Sequence, residues 1–142
     1  MRILIAVDGS KSSLHAVDYL VEHAGMYREK PAVELVTVHL PVPRLPGMGM
    51  AVGKGQVDRY YREEGETRLT PAMKRLDKAR LSYEPRVLVG QVAEAIVKHA
   101  KEKRCDLILI GTRGMGEIGK ALVGSTATRV VHISDIPVLL VK

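Results

Sequence analysis

Phenylalanine, tryptophan and asparagine are absent from this sequence of 142 residues, and cysteine occurs once, as Cys105. Without Phe and Trp, a hydrophobic core must be built mainly from aliphatic side chains. A single cysteine cannot form an intramolecular disulfide, and it excludes a zinc site made of several thiolates. The absence of Asn removes every N-glycosylation sequon, because the acceptor residue is missing.

Long apolar runs are also missing. No stretch approaches the roughly 18 consecutive apolar residues that cross a bilayer as a helix. The apolar run at 3–7 is too short for the core of a signal peptide. We therefore expect a cytoplasmic protein without a membrane segment. The composition, 46% hydrophobic and 27% charged, is that of a globular protein, and the length predicts one domain over 1–142.

The formal net charge is +6, which favours an anionic partner. The basic residues are interleaved with acidic ones, as in the segment 59–68, rather than clustered. Surfaces that bind nucleic acids usually combine clustered Lys and Arg with stacking aromatic rings. We therefore expect a small anion as the ligand rather than a nucleic acid.

Apolar runs alternate with amphipathic segments along the chain. Strands are predicted at 2–7, 33–40, 84–89, 106–110 and 137–141, and helices at 12–24, 57–81, 92–103 and 125–133. Pro71 predicts a kink or a restart within the second helix, and the Pro- and Gly-rich segment 41–55 predicts a mobile loop or a lid. Five strands alternating with four helices indicate an α/β fold with a mainly parallel sheet. Ligands of such sheets bind beyond the carboxyl ends of the strands.

The glycine-rich segment 111–124 follows the fourth predicted strand and leads into a helix. Unpaired N–H groups at a helix start attract anions, and glycines allow a phosphate to approach the main chain closely. A plain turn ahead of a helix is the alternative. Two shorter patterns do not fit. The segment 114–119 spells a dinucleotide fingerprint without an acidic residue at the end of a following strand, and 114–120 spells a Walker A loop in which Ala121 replaces the magnesium-binding hydroxyl.

The longer spacing Gly111-x2-Gly114-x9-Gly124-Ser125 resembles the phosphate-binding signature of the universal stress protein family, in its ATP-binding branch. The resemblance covers the whole chain, from the first strand with its Asp8 to the closing segment 136–141. It implies a single-domain, Rossmann-like sandwich similar to the adenine nucleotide α-hydrolases. That fold has a five-stranded parallel sheet in the order 3-2-1-4-5 with helices on both faces, and it frequently forms homodimers.

The resemblance also implies a set of nucleotide-binding positions. The adenine and ribose would lie near Ala6, Asp8 and Leu40. The ribose and the phosphates would lie on the glycine signature, at positions matching Ile110, Gly111, Arg113, Gly114, Gly124, Ser125, Thr126 and Ala127. Asp8 could also hold the Mg²⁺ that accompanies ATP.

Several single residues have a structural alternative. Asp8 could serve as a turn or N-cap residue, Ser125 as the N-cap of the last helix, and Arg113 as a solvated loop residue. Ser10 or Ser12 is the predicted N-cap of the first helix. His39 is predicted to be a hydrogen-bonded structural histidine, and Cys105 a small buried thiol.

The function expected from these observations is adenine-nucleotide binding that acts as a regulatory switch in a stress response. No enzyme activity is expected, although slow ATP hydrolysis beside Asp8 is not excluded. One alternative is a dimeric interaction module of the same fold that binds no nucleotide. Another is an ATP-using adenylating enzyme, whose usual Ser-Gly-Gly-x-Asp-Ser loop is replaced here by Asp8-Gly9-Ser10. The apolar segment Ile136 to Val141 is expected at a sheet edge, where symmetric pairing would give a homodimer.

Overall fold

A computed structural model describes residues 1–42, 53–113 and 123–142. The segments 43–52 and 114–122 lie outside the described residues. They contain most of the predicted loop at 41–55 and the predicted site residue Gly114.

Strands and helices alternate through the described residues, as the sequence predicts. In chain order the elements are β1 (Arg2–Ala6), α1 (Lys11–His23), a short 3₁₀ turn (Ala24–Met26), β2 (Ala32–His39), α2 (Lys54–Lys78), β3 (Tyr83–Val89), α3 (Val92–Glu102), β4 (Leu107–Gly111), α4 (Ser125–Ile133) and β5 (Val138–Val141). Every predicted strand and helix is present, with ends shifted by no more than a few residues.

The five strands form one parallel sheet in the order β3-β2-β1-β4-β5, which confirms the predicted fold. Strand β1 lies at the centre, where Ile5 is in register with Leu35 of β2 and with Leu109 of β4. The winding of the chain reverses at β1, so the carboxyl ends of β1, β2 and β4 surround the usual ligand position of such sheets.

The hydrophobic core consists of two aliphatic layers, one on each face of the sheet. Ile3 and Ile5 of β1 pack in the layer formed with α1 and α2. Leu4 and Ala6 pack in the layer formed with α3 and α4. Because helices cover both faces, the central strands are apolar at successive positions, which explains their uninterrupted hydrophobic runs.

Helix α2 corrects one prediction, because a single helix runs from Lys54 to Lys78 and includes Pro71. A restart at this proline is therefore excluded, whereas the alternative, a kink within one helix, stays a prediction. Leu69, Ala72 and Leu76 are buried in the layer shared with α1. Their packing holds the helix to the sheet on both sides of the proline and offsets the one backbone hydrogen bond that proline cannot donate. None of the helices in the described part of the chain combines the length and apolar character that a membrane crossing requires.

Candidate functional site

A cavity of about 680 Å³ opens at the carboxyl ends of β1, β2 and β4. Its volume lies within the roughly 300–1,000 Å³ of typical small-molecule sites. All the predicted site residues that the structure describes line this cavity: Ala6, Asp8, Leu40, Ile110, Gly111, Arg113, Gly124, Ser125, Thr126 and Ala127. The fold thus brings the predicted set together, while the ligand contact of each residue stays a prediction.

One wall of the cavity is apolar. It is formed by Val36 and Val38 of β2 and by Val92 and Ile96 of α3, with Ile110 of β4 in the same core layer. Aliphatic side chains from a strand and a facing helix make a surface that excludes water from a flat aromatic ligand group.

The turn between β1 and α1 holds Asp8 on the cavity wall. The amide of Ser10 donates to Oδ1 of Asp8 at 2.9 Å, and the amide of Asp8 donates to Oγ of Ser13 at 3.3 Å. Gly9 closes the turn with φ +86°, a conformation that favours glycine. Ser10 is the N-cap of α1, since its Oγ accepts from the amide of Ser13. Asp8 therefore has the turn-forming role given above as its structural alternative, and it also lines the cavity.

The end of β4 lies against the first turn of α1. A Cβ atom on Gly111 would lie 2.5 Å from the carbonyl oxygen of Ser12, which is too close for any side chain. The amide of Arg113 donates to Oγ of Ser12 at 3.1 Å. Packing against α1 thus requires glycine at position 111 whether or not a phosphate binds there, a reason that the glycine spacing alone does not reveal.

Helix α4 starts at the cavity and corrects the prediction for Ser125. Gly124 is the N-cap, so Ser125 is the first residue of the helix rather than its cap. The amide of Gly124 donates to the carbonyl oxygen of Thr112 at 2.6 Å, which ties this helix start to the end of β4. The first turn of an α-helix lacks intrahelical partners for its N–H groups and carries the positive end of the helix dipole. The cavity side of α4 is therefore electrostatically suited to an anion.

The opposite wall comes from α2 and the end of β2, and motif analysis did not find it. Tyr60 and Arg68 of α2 line the cavity next to His39. The ring centroid of His39 lies 6.3 Å from that of Tyr60 and 5.5 Å from that of Tyr61. Arg68 donates to the carbonyl oxygen of Val38 at a long 3.5 Å. No sequence motif includes residues of α2. Nothing in the sequence marks Arg68 as a site residue except that it precedes Leu69, which is buried.

His39 differs from its prediction in one respect. The imidazole is buried, as expected for a structural histidine, with 4% of the residue exposed. However, its Nε2 atom has no hydrogen-bond partner among the described residues. Burial lowers the pKa of His39, Arg68 lowers that pKa further, and Glu64 partly opposes the shift. These effects favour the neutral form of the ring.

Comparison with known proteins was made for the whole chain. The sequence model described as the Universal stress protein family matches residues 1–142. A universal stress protein of Methanocaldococcus jannaschii is 32% identical over 142 residues, covering 99% of this chain and 81% of the relative. A universal stress protein of Thermus aquaticus is 33% identical over 147 residues, covering 99% of this chain and 97% of the relative.

Solved structures also resemble this fold. A universal stress protein of Lactobacillus plantarum superposes with a TM-score of 0.78 at 18% identity and covers 100% of this chain and 97% of its own. A universal stress protein in complex with cAMP gives a TM-score of 0.69 at 27% identity, with 100% and 97% coverage. One from Archaeoglobus fulgidus in complex with dAMP gives 0.66 at 26% identity, with 100% and 98% coverage.

Proposed function

This chain is a member of the universal stress protein family, and we propose that it binds an adenine nucleotide as a regulatory switch in a stress response. The observation that carries the proposal is the cavity at the carboxyl ends of β1, β2 and β4, which gathers the described residues of the nucleotide signature. Two similar structures, at 26% and 27% identity, were solved with dAMP and with cAMP.

The cavity has an apolar part and a positively charged part, which match the base and the phosphate of a mononucleotide. The aliphatic wall from β2 and α3 suits a purine base, because a flat, weakly hydrated ring gains from leaving water. The start of α4 and the side chain of Arg113 supply positive charge and N–H donors at the β4 side, which suits phosphate oxygens. A base and a phosphate would thus occupy opposite parts of one cavity.

A magnesium ion fits this site only as part of the ligand. Asp8 is the one carboxylate among the described cavity-lining residues. No group of three or more His, Cys, Asp or Glu side chains suited to a metal occurs in the described ranges. Mg²⁺ keeps several waters and is commonly held by one or two carboxylates together with substrate phosphates. We therefore propose that Mg²⁺ enters with ATP and that Asp8 is its protein ligand.

We propose binding without rapid turnover. Proton transfer at a phosphate requires an acid or base placed at the reacting oxygen. The candidate bases among the described lining residues are Asp8 and His39. Asp8 is already proposed as the ligand of Mg²⁺, and His39 ends β2, which β1 separates from β4 and the following start of α4. Slow hydrolysis beside Asp8 is compatible with this arrangement.

The test is calorimetric titration of the nucleotide-free, folded protein with Mg·ATP and with AMP. We expect saturable binding near one nucleotide per chain. The variant Gly124→Val places a branched side chain at the start of α4 and should abolish binding. The matched variant Gly25→Val lies where no atom comes within 4 Å of an added Cβ, and it should bind normally. Failure of the unaltered protein to bind would overturn the proposal and favour an interaction module.

The switch itself needs a separate measurement. Hydrogen exchange should be compared with and without saturating nucleotide, using the same sample. We expect slower exchange at the cavity and also in the part of α2 beyond its cavity-lining residues Tyr60 and Arg68, because these two residues would pass the effect of the ligand to the helix. Protection confined to the residues that contact the nucleotide would contradict a switch while leaving binding intact.

A further inference from the structure

The end of the sheet opposite the cavity carries a group of exposed cations. Arg28 and Lys30 belong to the connection from α1 to β2. Lys78 is the last residue of α2, and Arg80 follows it in the connection to β3. All four residues are exposed, and none of them forms an ion pair within the described ranges. Their charges are therefore available to a partner.

The two connections lie side by side, because β2 and β3 are neighbours in the sheet. The amide of Val33 donates to the carbonyl oxygen of Ser82 at 3.0 Å, where the two strands begin. Nζ of Lys30 lies 3.5 Å from the carbonyl oxygen of Arg80, although the two residues are 50 positions apart in the sequence. Cations from two distant segments thus form one patch.

Carboxylates in and next to these connections are fewer than the cations. Glu29 lies in the first connection, and Asp77 lies in the last turn of α2. Oδ1 of Asp77 accepts a hydrogen bond from the hydroxyl group of Tyr83 at 2.9 Å. Four cations beside two carboxylates leave this patch with a net positive charge.

Arg80 has an unfavourable backbone conformation. Its φ is +53°, and Arg104, which follows α3 at the same end of the sheet, has the same value. In the described part of the chain, these two arginines are the only residues other than glycine with positive φ. Glycine is the usual residue at this place after a helix, because a side chain is strained there. Lys78 already places a positive charge in the last turn of α2, so the helix dipole alone does not require Arg80.

An exposed apolar side chain accompanies the cations. Met26 ends the 3₁₀ turn after α1, two residues before Arg28, and 75% of it is exposed. No atom lies within 4 Å of a Cβ added to Gly25 beside it, so this turn borders open solvent. Tyr27 packs against the core and holds the turn in place. We refer to Met26 and the four cations together as the basic surface.

The chemistry of the basic surface matches the headgroup layer of an anionic membrane. Such a layer attracts lysine and arginine side chains through its negative surface potential. Apolar side chains of a bound protein enter the boundary between headgroups and acyl chains, which suits Met26. The cations lie on exposed connections, so a broad and flat partner can reach all of them at once.

We propose that the basic surface docks this protein on a membrane that contains anionic lipids. Arg28, Lys30, Lys78 and Arg80 face the lipid phosphates, and Met26 enters the interface. Such docking requires no membrane-spanning helix. The cavity lies at the opposite end of the sheet and stays open to solvent, so docking goes beyond the proposed function and does not depend on it.

The experiment is co-sedimentation of the nucleotide-free, full chain with two kinds of vesicle. One kind contains phosphatidylcholine alone, and the other contains equimolar phosphatidylcholine and phosphatidylglycerol. We expect the protein to bind the anionic vesicles at least about tenfold more tightly. We also expect this binding to weaken as salt is added, because salt screens the contact between exposed charges.

Two double variants locate the contact. Lys30→Gln with Arg80→Gln should weaken binding to the anionic vesicles about tenfold or more, because each cation near the surface contributes to the affinity. Arg59→Gln with Arg62→Gln removes the same charge from exposed positions in the first half of α2. This control should bind like the unaltered protein, since these positions lie away from the basic surface.

Two single variants separate docking from folding. Arg80→Gly removes a charge and relieves the positive φ, so it should be at least as stable as the unaltered protein in thermal unfolding. It should nevertheless bind the anionic vesicles about fivefold more weakly. Met26→Gln should also weaken this binding while leaving its salt dependence unchanged, because it removes apolar contact and no charge.

Several results would overturn the proposal. Equal binding to both vesicles, or no binding to either, would exclude an anionic membrane as the partner. An equal loss in the Arg59 and Arg62 control would show an effect of net charge instead of a surface. Binding to soluble polyglutamate without binding to vesicles would assign the basic surface to an acidic protein segment. Each of these results leaves nucleotide binding, which is titrated separately, unaffected.

Discussion

Glu34 of β2 and His99 of α3 meet in the protein interior, with 3.1 Å between Oε2 of the carboxylate and Nε2 of the imidazole. Only 3% of Glu34 and 8% of His99 are exposed. The two residues are 65 positions apart in the sequence. This contact therefore ties the sheet to a helix on the face opposite α2, and it takes no part in the cavity.

Removal of one member of this pair should be costly. His99→Ala leaves the carboxylate of Glu34 buried without its partner, and we expect a loss of about 3–5 kcal/mol in the free energy of unfolding. The double variant Glu34→Leu with His99→Leu replaces the pair by apolar groups and should be much closer to the unaltered protein. Urea unfolding of the three proteins measures the difference. If His99→Ala lowered the free energy of unfolding by less than about 1 kcal/mol, the structural role of the pair would be contradicted.

Gly111→Ala tests the contact between β4 and α1. The added methyl group would lie 2.5 Å from the carbonyl oxygen of Ser12, which is backbone and cannot rotate away. We expect a loss of about 1–3 kcal/mol from the resulting strain, together with weaker nucleotide binding. Gly25→Ala is the control, since its Cβ would meet no atom within 4 Å. Thermal unfolding and titration with AMP give the two readouts. If Gly111→Ala left the free energy of unfolding unchanged, the end of β4 would be able to move away from Ser12 without cost, which would contradict the prediction.

The single thiol should be unreactive in the folded protein. Burial, with a smaller contribution from the charge of Glu34, raises the pKa of Cys105 to about 11. The thiolate is the reactive form, so at pH 8 iodoacetamide should label the denatured chain quickly and the native chain hardly at all. Cys105→Ser provides the unlabelled reference. Equal labelling rates in native and denatured protein would contradict the burial.

The same shift predicts the direction of one pH effect. Because the pKa of Cys105 is raised in the folded state, the unfolded chain loses this proton at a lower pH than the folded chain. The folded state is therefore less favoured as the pH rises from about 9 to about 11. Cys105→Ser should lose less stability over this range, which urea unfolding at several pH values would show. If the free energy of unfolding of the two proteins changed with pH in the same way, the thiol of Cys105 would not contribute to the pH dependence.

A homodimer through the last strand is predicted from the sheet edge. The carbonyl oxygens of Pro137 and Val141 accept hydrogen bonds from the β4 side. Peptide groups alternate in direction along a parallel strand, so the amide of Leu140 faces away from β4. Leu140→Pro removes this donor and should give a monomer by light scattering at micromolar concentration, while Leu140→Val should stay dimeric. A monomeric unaltered protein would contradict the prediction.

The order of strands and helices could be predicted because the physical signals were local. A central strand such as β1, covered on both faces, is apolar at successive positions and ends at a turn with a polar residue. The N-cap Ser10 follows from side-chain chemistry within four residues. Gly124, by contrast, has no side chain with which to mark a cap, and Ser125 next to it has one. The N-cap was therefore predicted at Ser125 instead of Gly124.

The parts that could not be predicted depend on contacts between distant segments. Nothing near Arg68 or His39 in the sequence shows that α2 places the arginine next to the imidazole. The pairing of Glu34 with His99 arises only when α3 covers β2. The continuity of α2 through Pro71 is also a tertiary effect, because the buried residues on either side of the proline hold the helix against the sheet.

The contact of Gly111 with the first turn of α1 has a mechanical consequence. The backbone of β4 touches Ser12, and the amide of Arg113 bonds to the hydroxyl of the same residue. The end of β4 and the start of α1 are therefore in direct contact, so a shift of one requires a shift of the other. A ligand that displaces the backbone of Arg113 would therefore act on the first turn of α1 as well as on β4.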